Sequence, residues 1–531
     1  MASSSATKAT KTCGDVPFIT YENGDGLMEQ GVTALLEHIA STVLPALGQP
    51  KMEIRFRNVS ICADIVVKDK TNLKTEPPTL VNVTKTSLAK MAAKTHIVKK
   101  NILRNVSGVL KPGTMTLVLG QPGSGKSSLL KVLSVRFPTS KRVRVDGQVT
   151  YNGTPQQELQ TRLPQFVSFT LEFANACTGG KLSNKEEKLY SHGSPEQNQA
   201  ALDVLRATYK HYPDVIIRQL GLENCQNTIL GNTMLRGVSG CERKRVTTGE
   251  MMFGNKFVLL MDEISTGLDS AATFDIISTQ RSLTKTLNKT VAISLLQPSP
   301  EVFALFDDVI LMNDGYVVYH GPRSEALYYF ESLGFERPVN RDVADFLLDL
   351  GTNKQQQYEV GPCPSSASEF ADAFKKSCIR DHMMSELNSA LDPSLIADNK
   401  KFMDPRLEFN QSFWDGTMTL IRRQMTITLR NTALLKSRFL MSVVLGLLNA
   451  STFYQFDETD AQVVIGIIYV AVNFVTLGQS AQVPSFMAIR DVFNKQRGAN
   501  FFRTSSFVLA TSVSQIPLAV IETLTFGSII Y

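Results

Sequence analysis

Cysteine is scarce in this 531-residue chain: Cys13, Cys62, Cys177, Cys225, Cys241, Cys363 and Cys378 are scattered, odd in number and without a CxxC pair. That excludes a disulfide framework and a thiolate zinc site, and fits reduced thiols. Met1 to Asp15 lacks any apolar run, which excludes a cleavable secretory signal there and leaves membrane targeting to later segments. Concentrated charge of one sign is also missing. The 55 basic and 49 acidic residues leave a net +6, spread without an aromatic-interleaved basic patch, so no nucleic-acid partner is expected. No internal repeat is visible.

Hydrophobic residues make up 43% of the chain and charged ones 20%, which excludes a wholly disordered polymer. At about 150 residues per domain the length allows two to four domains. A mean hydropathy of −0.04 hides a split. Residues 1–435 are ordinary mixed sequence, whereas three long stretches nearly free of charge follow. Phe439 to Phe456 is 18 residues without a charge, Ala461 to Ile489 is 29, and Phe507 to Tyr531 is 25 with Glu522 as its only charge. Each is long enough to cross a bilayer as a helix. Asp457, Glu458 and Asp460 separate the first two, and Arg490, Lys495, Arg497 and Arg503 lie between the second and third. The positive-inside rule puts that basic loop in the cytosol, together with the large N-terminal region.

The expected organisation is an N-terminal extension over 1–90, an α/β nucleotide-binding domain over 91–351, a polar linker over 352–411 and a helical membrane region over 412–531. Leu27 to Leu47 has helical apolar spacing. Phe413 to Arg430 mixes Trp414, the only tryptophan, with Leu420, Arg422 and Arg423, as an interfacial helix does. Glu522 either lines a path or is satisfied by a neighbouring helix. Asn449-Ala450-Ser451 has the glycosylation pattern but lies within the first apolar stretch.

Chemistry is concentrated in three places. The apolar strand Thr116 to Leu119 runs into Gly120-Gln121-Pro122-Gly123-Ser124-Gly125-Lys126-Ser127, the pattern G-x-x-x-x-G-K-[ST], and Ser128 continues into a helix. Glycines let backbone N–H groups close around phosphate oxygens, Lys126 reaches the β/γ-phosphates and Ser127 suits Mg²⁺. A second buried-strand pattern, Phe257 to Met261, ends in Asp262-Glu263. An aspartate there suits Mg²⁺ and the adjacent glutamate suits orienting or deprotonating an attacking water. Between them lies Ser239-Gly240-Cys241-Glu242, and Ser265 to Ser270, including Asp269, follows the second strand.

These segments, in this order, resemble the ATP-binding cassette proteins. Ser239 to Glu242 looks like their signature turn, which faces the γ-phosphate held by a partner domain, and Asp269 falls in the stretch that looks like their D-loop. Arg243-Lys244-Arg245-Val246 and Ser294-Leu295-Leu296-Gln297-Pro298 are similar to the G-type, pleiotropic drug resistance subfamily, which also places the cassette before the membrane domain. The resemblance covers about Met28 to Tyr531. It implies an α/β P-loop domain followed by transmembrane helices, ATP and Mg²⁺ as cofactors, Glu263 as catalytic base, a second nucleotide-binding domain as partner, and multi-pass residence in lipid, at the plasma membrane. The implied function is ATP-driven export of small amphipathic compounds.

Three departures accompany it. Phe166-Val167-Ser168 runs directly into Phe169 to Ala174 where the family has a Q-loop, and Gln165 is at the wrong end of that strand. Cys241 stands at a signature glycine, and Leu296 at the switch histidine, as in first cassettes of full-length members. The resemblance reads as the start of a longer transporter, cut short. The alternative is a truncated, membrane-anchored nucleotide-binding fragment with impaired hydrolysis and no transport.

Overall fold

The structure is a computed structural model. It describes residues 51–68, 95–138, 142–159, 167–170, 194–226, 237–240, 256–266, 268–398, 412–452, 461–480, 483–498 and 500–530, with a few single positions besides. The chain divides into Met1–Arg406 and Leu407–Tyr531.

In the first unit, β3 (Met115–Gly120), β7 (Val258–Asp262) and β8 (Thr290–Ser294) are buried along their whole lengths. Such continuous burial is expected of strands covered on both faces. They form the centre of a six-stranded sheet of order β10-β9-β3-β8-β7-β6, completed by β6 (Val167–Thr170), β9 (Asp308–Asn313) and β10 (Tyr316–Pro322). All neighbours run parallel except β9 and β10. The carboxyl ends of β3, β8 and β7 therefore lie side by side, where open α/β sheets bind ligands.

A second, antiparallel sheet has the order β2-β1-β4-β5, from β1 (Ile54–Lys68), β2 (Thr95–Leu110), β4 (Val143–Tyr151) and β5 (Thr154–Pro155). Its Met52, Ile54, Phe56 and Ile61 side pack on Leu129, Leu130 and Leu133 of the helix Lys126–Leu133, against Val118 and Leu260 of the main sheet. On the other face of that sheet, Ile276 and Ile277 of the helix Ser270–Thr286 join Phe303, Phe306, Phe330 and Phe346.

Two expected boundaries shift. β1 falls in the stretch assigned to an N-terminal extension, yet it pairs with β2 (Ile54 opposite Leu110) and with β4 (Ile54 opposite Tyr151). The stretch assigned to a linker carries the helices Ala367–Lys375 and Cys378–Asn388. The first buries Phe370, Ala371 and Phe374 on one face, and Phe370 stacks on Phe335 at 5.7 Å. A narrow apolar stripe on a polar helix gives the composition of a connector and the packing of a core element. Of Leu27 to Leu47 only single positions are described; Leu35 is among them and is buried.

The second unit is helical: Phe413–Arg430, Thr432–Thr452, Ala461–Ser480, Val483–Gly498 and Thr504–Ile530. Ser412 caps the first, its Oγ accepting from Asp415 N at 3.2 Å. Thr432–Thr452 and Thr504–Ile530 are long and apolar enough to cross a membrane, and Ala461–Asn473 is a shorter apolar stretch. The 29-residue run divides, because Pro484 sits in the first turn of a separate helix that carries Arg490, Lys495 and Arg497. The two long helices bury small residues, Ser442 and Gly446 in one and Ser506, Ala510 and Ser514 in the other. A Cβ on Gly446 would stand 3.1 Å from Ile529, so glycine is what allows this approach. Leu440, Leu447, Leu448, Ile516 and Leu524 stay exposed. Apolar helices with exposed apolar faces and small buried contacts suit lipid as the solvent.

Candidate functional site

The loop after β3 turns through three glycines with positive φ: Gly120 at 152°, Gly123 at 85° and Gly125 at 101°. The last two lie in the left-handed region that side chains resist. A Cβ on Gly120 would stand 2.3 Å from the Met312 carbonyl oxygen, whereas at Gly123 it would meet nothing. The loop is thus packed below and open above. Gly125 opens the helix Lys126–Leu133 and offers no side chain to cap it, so the first N–H groups keep their capacity for an anion.

Lys126 is buried, and its Nζ donates to the carbonyls of Gly120 at 2.6 Å and Gln121 at 3.2 Å. Burial lowers its pKa, while the nearby Glu263 and Asp262 carboxylates raise it. The lysine and both acids share one electrostatic neighbourhood. Within the loop, Ser124 Oγ is buried and has no hydrogen-bond partner among the described residues, Ser127 and Ser128 are half-buried, and Pro122 is exposed. Gln121 donates Nε2 to the Leu348 carbonyl at 2.6 Å, tying the loop to the end of the helix Val343–Asp349.

Asp262 ends β7, opposite Ser294 on β8, and Glu263 follows in a left-handed conformation with φ 50°. Outside glycine that conformation costs on the order of 1 kcal/mol. Ser294 Oγ donates to Asp262 Oδ1 at 2.6 Å, and Glu263 N donates to both Ser294 O and Ser294 Oγ at 3.0 Å. In the sequence Ser294 figured only as the first residue of the Ser294 to Pro298 stretch, with nothing to link it to Asp262 or Glu263.

At Ser239 the spacing makes a capping box. Ser239 N donates to Glu242 Oε2 at 2.8 Å, and Glu242 N donates to Ser239 Oγ at 3.2 Å. The backbone donor and then the hydroxyl of Ser239 hold the Glu242 carboxyl below its usual pKa. Ser239 and Gly240 are exposed. Among the described residues no hydrogen bond or ion pair joins Ser239 to Glu242 with the glycine loop. Arg245, one helical turn on, pairs with Asp269 at 3.6 Å. Cys241 and residues 171–193, which include the site of the expected Q-loop, lie outside the described residues.

The arrangement suits a polyphosphate with its cation: an open glycine loop, an uncapped helix start, a desolvated amine, and an aspartate and a glutamate at the end of β7, one strand beyond β8. Two family models match on either side of the division at Arg406. ABC transporter covers residues 103–266 and ABC-2 type transporter covers 416–531. A third, also an ABC-2 type transporter model, matches 296–361 within the first unit. ABC transporter G family member 31 of Arabidopsis thaliana is 33% identical over 526 residues, 91% of this chain and 36% of that protein. The chain is an ABC transporter G family homologue. Member 44 of Oryza sativa subsp. japonica is 33% identical over 96% of the chain and 37% of its own length. Pleiotropic drug resistance protein 1 of Nicotiana tabacum is 30% identical over 89% and 35% respectively. This homologue thus spans about a third of the curated relatives it matches, and within that third a cassette precedes an ABC-2 membrane region. A dimeric bacterial ABC transporter cassette aligns over 51% of the chain at 16% identity, with a TM-score of 0.30.

Proposed function

We propose that this chain is the N-terminal, ATP-hydrolysing part of a G-type exporter of small amphipathic compounds, working with a second nucleotide-binding domain. The observation that carries the reading is that the open glycine loop and buried Lys126 after β3 share one electrostatic neighbourhood with Asp262 and Glu263 at the end of β7, with only β8 between the two strands. Backbone N–H groups from Gly123 to Ser128 and the Lys126 ammonium bind the phosphates. Ser127 and Asp262 would hold Mg²⁺, which would supply neutralisation of phosphate charge. Glu263 orients the attacking water and takes its proton.

Ser239, Gly240, Cys241 and Glu242 serve the nucleotide of the partner cassette. The exposure of Ser239 and Gly240 supports that assignment, since a turn that completes another domain's site must be free to reach it. The first unit is cytosolic, and the apolar helices make the protein a multi-pass membrane protein at the plasma membrane, in contact with lipid. Phosphate release by the chain in nanodiscs, compared with Glu263→Gln, tests the hydrolytic assignment. A loss of about a hundredfold is expected; equal rates contradict it.

A further inference from the structure

Ser294 is wholly buried at the end of β8, yet it carries a hydroxyl rather than an apolar group. Among the described residues, its side-chain hydrogen bonds converge on the two acids. Its Oγ donates to Asp262 Oδ1 at 2.6 Å while accepting from Glu263 N at 3.0 Å, and its carbonyl accepts from the same N–H at 3.0 Å. The hydroxyl has one proton, and Asp262 holds it. One carboxylate oxygen is committed to Ser294, so Oδ2 is the oxygen left for a cation. The shared N–H also holds Glu263 in its left-handed turn, which fixes the direction from which that side chain leaves the strand.

We propose that Ser294 is a positioning residue: it orients the Asp262 carboxylate toward Mg²⁺ and sets the backbone of Glu263. The inference rests on the nucleotide reading above. Groups that hydrogen-bond a metal's carboxylate ligand fix its orientation, and their loss costs on the order of tenfold to a hundredfold in metal affinity. Ser294→Ala removes Oγ but keeps the carbonyl that holds Glu263 N, so the effect should fall on the cation more than on the nucleotide.

The test titrates a fluorescent ATP analogue into the purified chain, once in EDTA and once across a Mg²⁺ series. The variants are Ser294→Ala, Ser294→Thr, Ser294→Val and Lys126→Ala. Threonine and valine have the same shape and differ in the hydroxyl, so this pair carries the comparison if the alanine variant does not fold. Affinity in EDTA should stay within about twofold of wild type for Ser294→Ala, while the Mg²⁺ concentration giving half of the gain in affinity rises about tenfold. Ser294→Val should need about tenfold more Mg²⁺ than Ser294→Thr. An unchanged Mg²⁺ requirement in both hydroxyl-less variants overturns the inference. So does an equal loss in EDTA and in Mg²⁺, which is what a merely structural serine would give. Wild-type affinity in Lys126→Ala would instead sink the nucleotide reading itself, whatever the Ser294 variants do.

Discussion

Arg438 and Glu522 form a two-point ion pair between the helices Thr432–Thr452 and Thr504–Ile530, with Nη2 donating to Oε2 at 2.6 Å and Nε 2.5 Å from Oε1. Both side chains are nearly buried, at 11% and 13% exposure, so each charge depends on the other. The lone acid of the third apolar stretch is therefore satisfied by a neighbouring helix.

Removing one member should cost more than removing both. Arg438→Leu strands a carboxylate and should destabilise the helical unit by about 3 kcal/mol, whereas Arg438→Leu with Glu522→Leu should recover most of that. Thermal unfolding in detergent of the two singles and the double measures it. A double variant as unstable as the sum of the singles would show that the charges do not act as a pair.

His320 makes the first unit sensitive to acid. It is fully buried, stacked on Phe56 at 6.3 Å, and its pKa is lowered to about 4, by burial first and by the Lys111 ammonium second. An unfolded histidine titrates near about 6.5, so between those values only the unfolded chain takes up the proton. Stability from this residue is complete above about pH 6.5 and falls as pH drops, by about 2 kcal/mol at about pH 5. The fall in unfolding temperature between about pH 7 and about pH 5 should be larger in wild type than in His320→Gln; equal falls would rule the residue out as the cause.

Topology follows from charge. The helix Val483–Gly498 carries Arg490, Lys495 and Arg497, whereas Asp457, Glu458 and Asp460 precede Ala461–Ser480. A single cysteine at Thr459 should react with an impermeant thiol reagent on intact cells, and one at Asn494 should not. The reverse pattern would invert the orientation.

The placement of the glycine loop and of the Asp262-Glu263 pair at strand ends was legible in the sequence because each follows a continuous apolar run, the mark of a central parallel strand. The apolar helices were legible for the same reason of length. Ser294 was not, because a serine at a strand end has no meaning until the register sets it opposite Asp262. The partner of Glu522 was hidden by a sequence separation of 84 positions from Arg438. Ala367–Lys375 was hidden by its polar face, since Phe370 and Phe374 in a polar stretch fit a connector and a one-sided core helix equally well.

Binding of Mg-ATP through Lys126 is the claim on which the rest depends. An equilibrium titration of a fluorescent ATP analogue into the purified chain and into Lys126→Ala measures it most directly. Loss of a buried cation from a phosphate cradle should weaken affinity by about a hundredfold. Equal affinity in the two proteins would contradict the account.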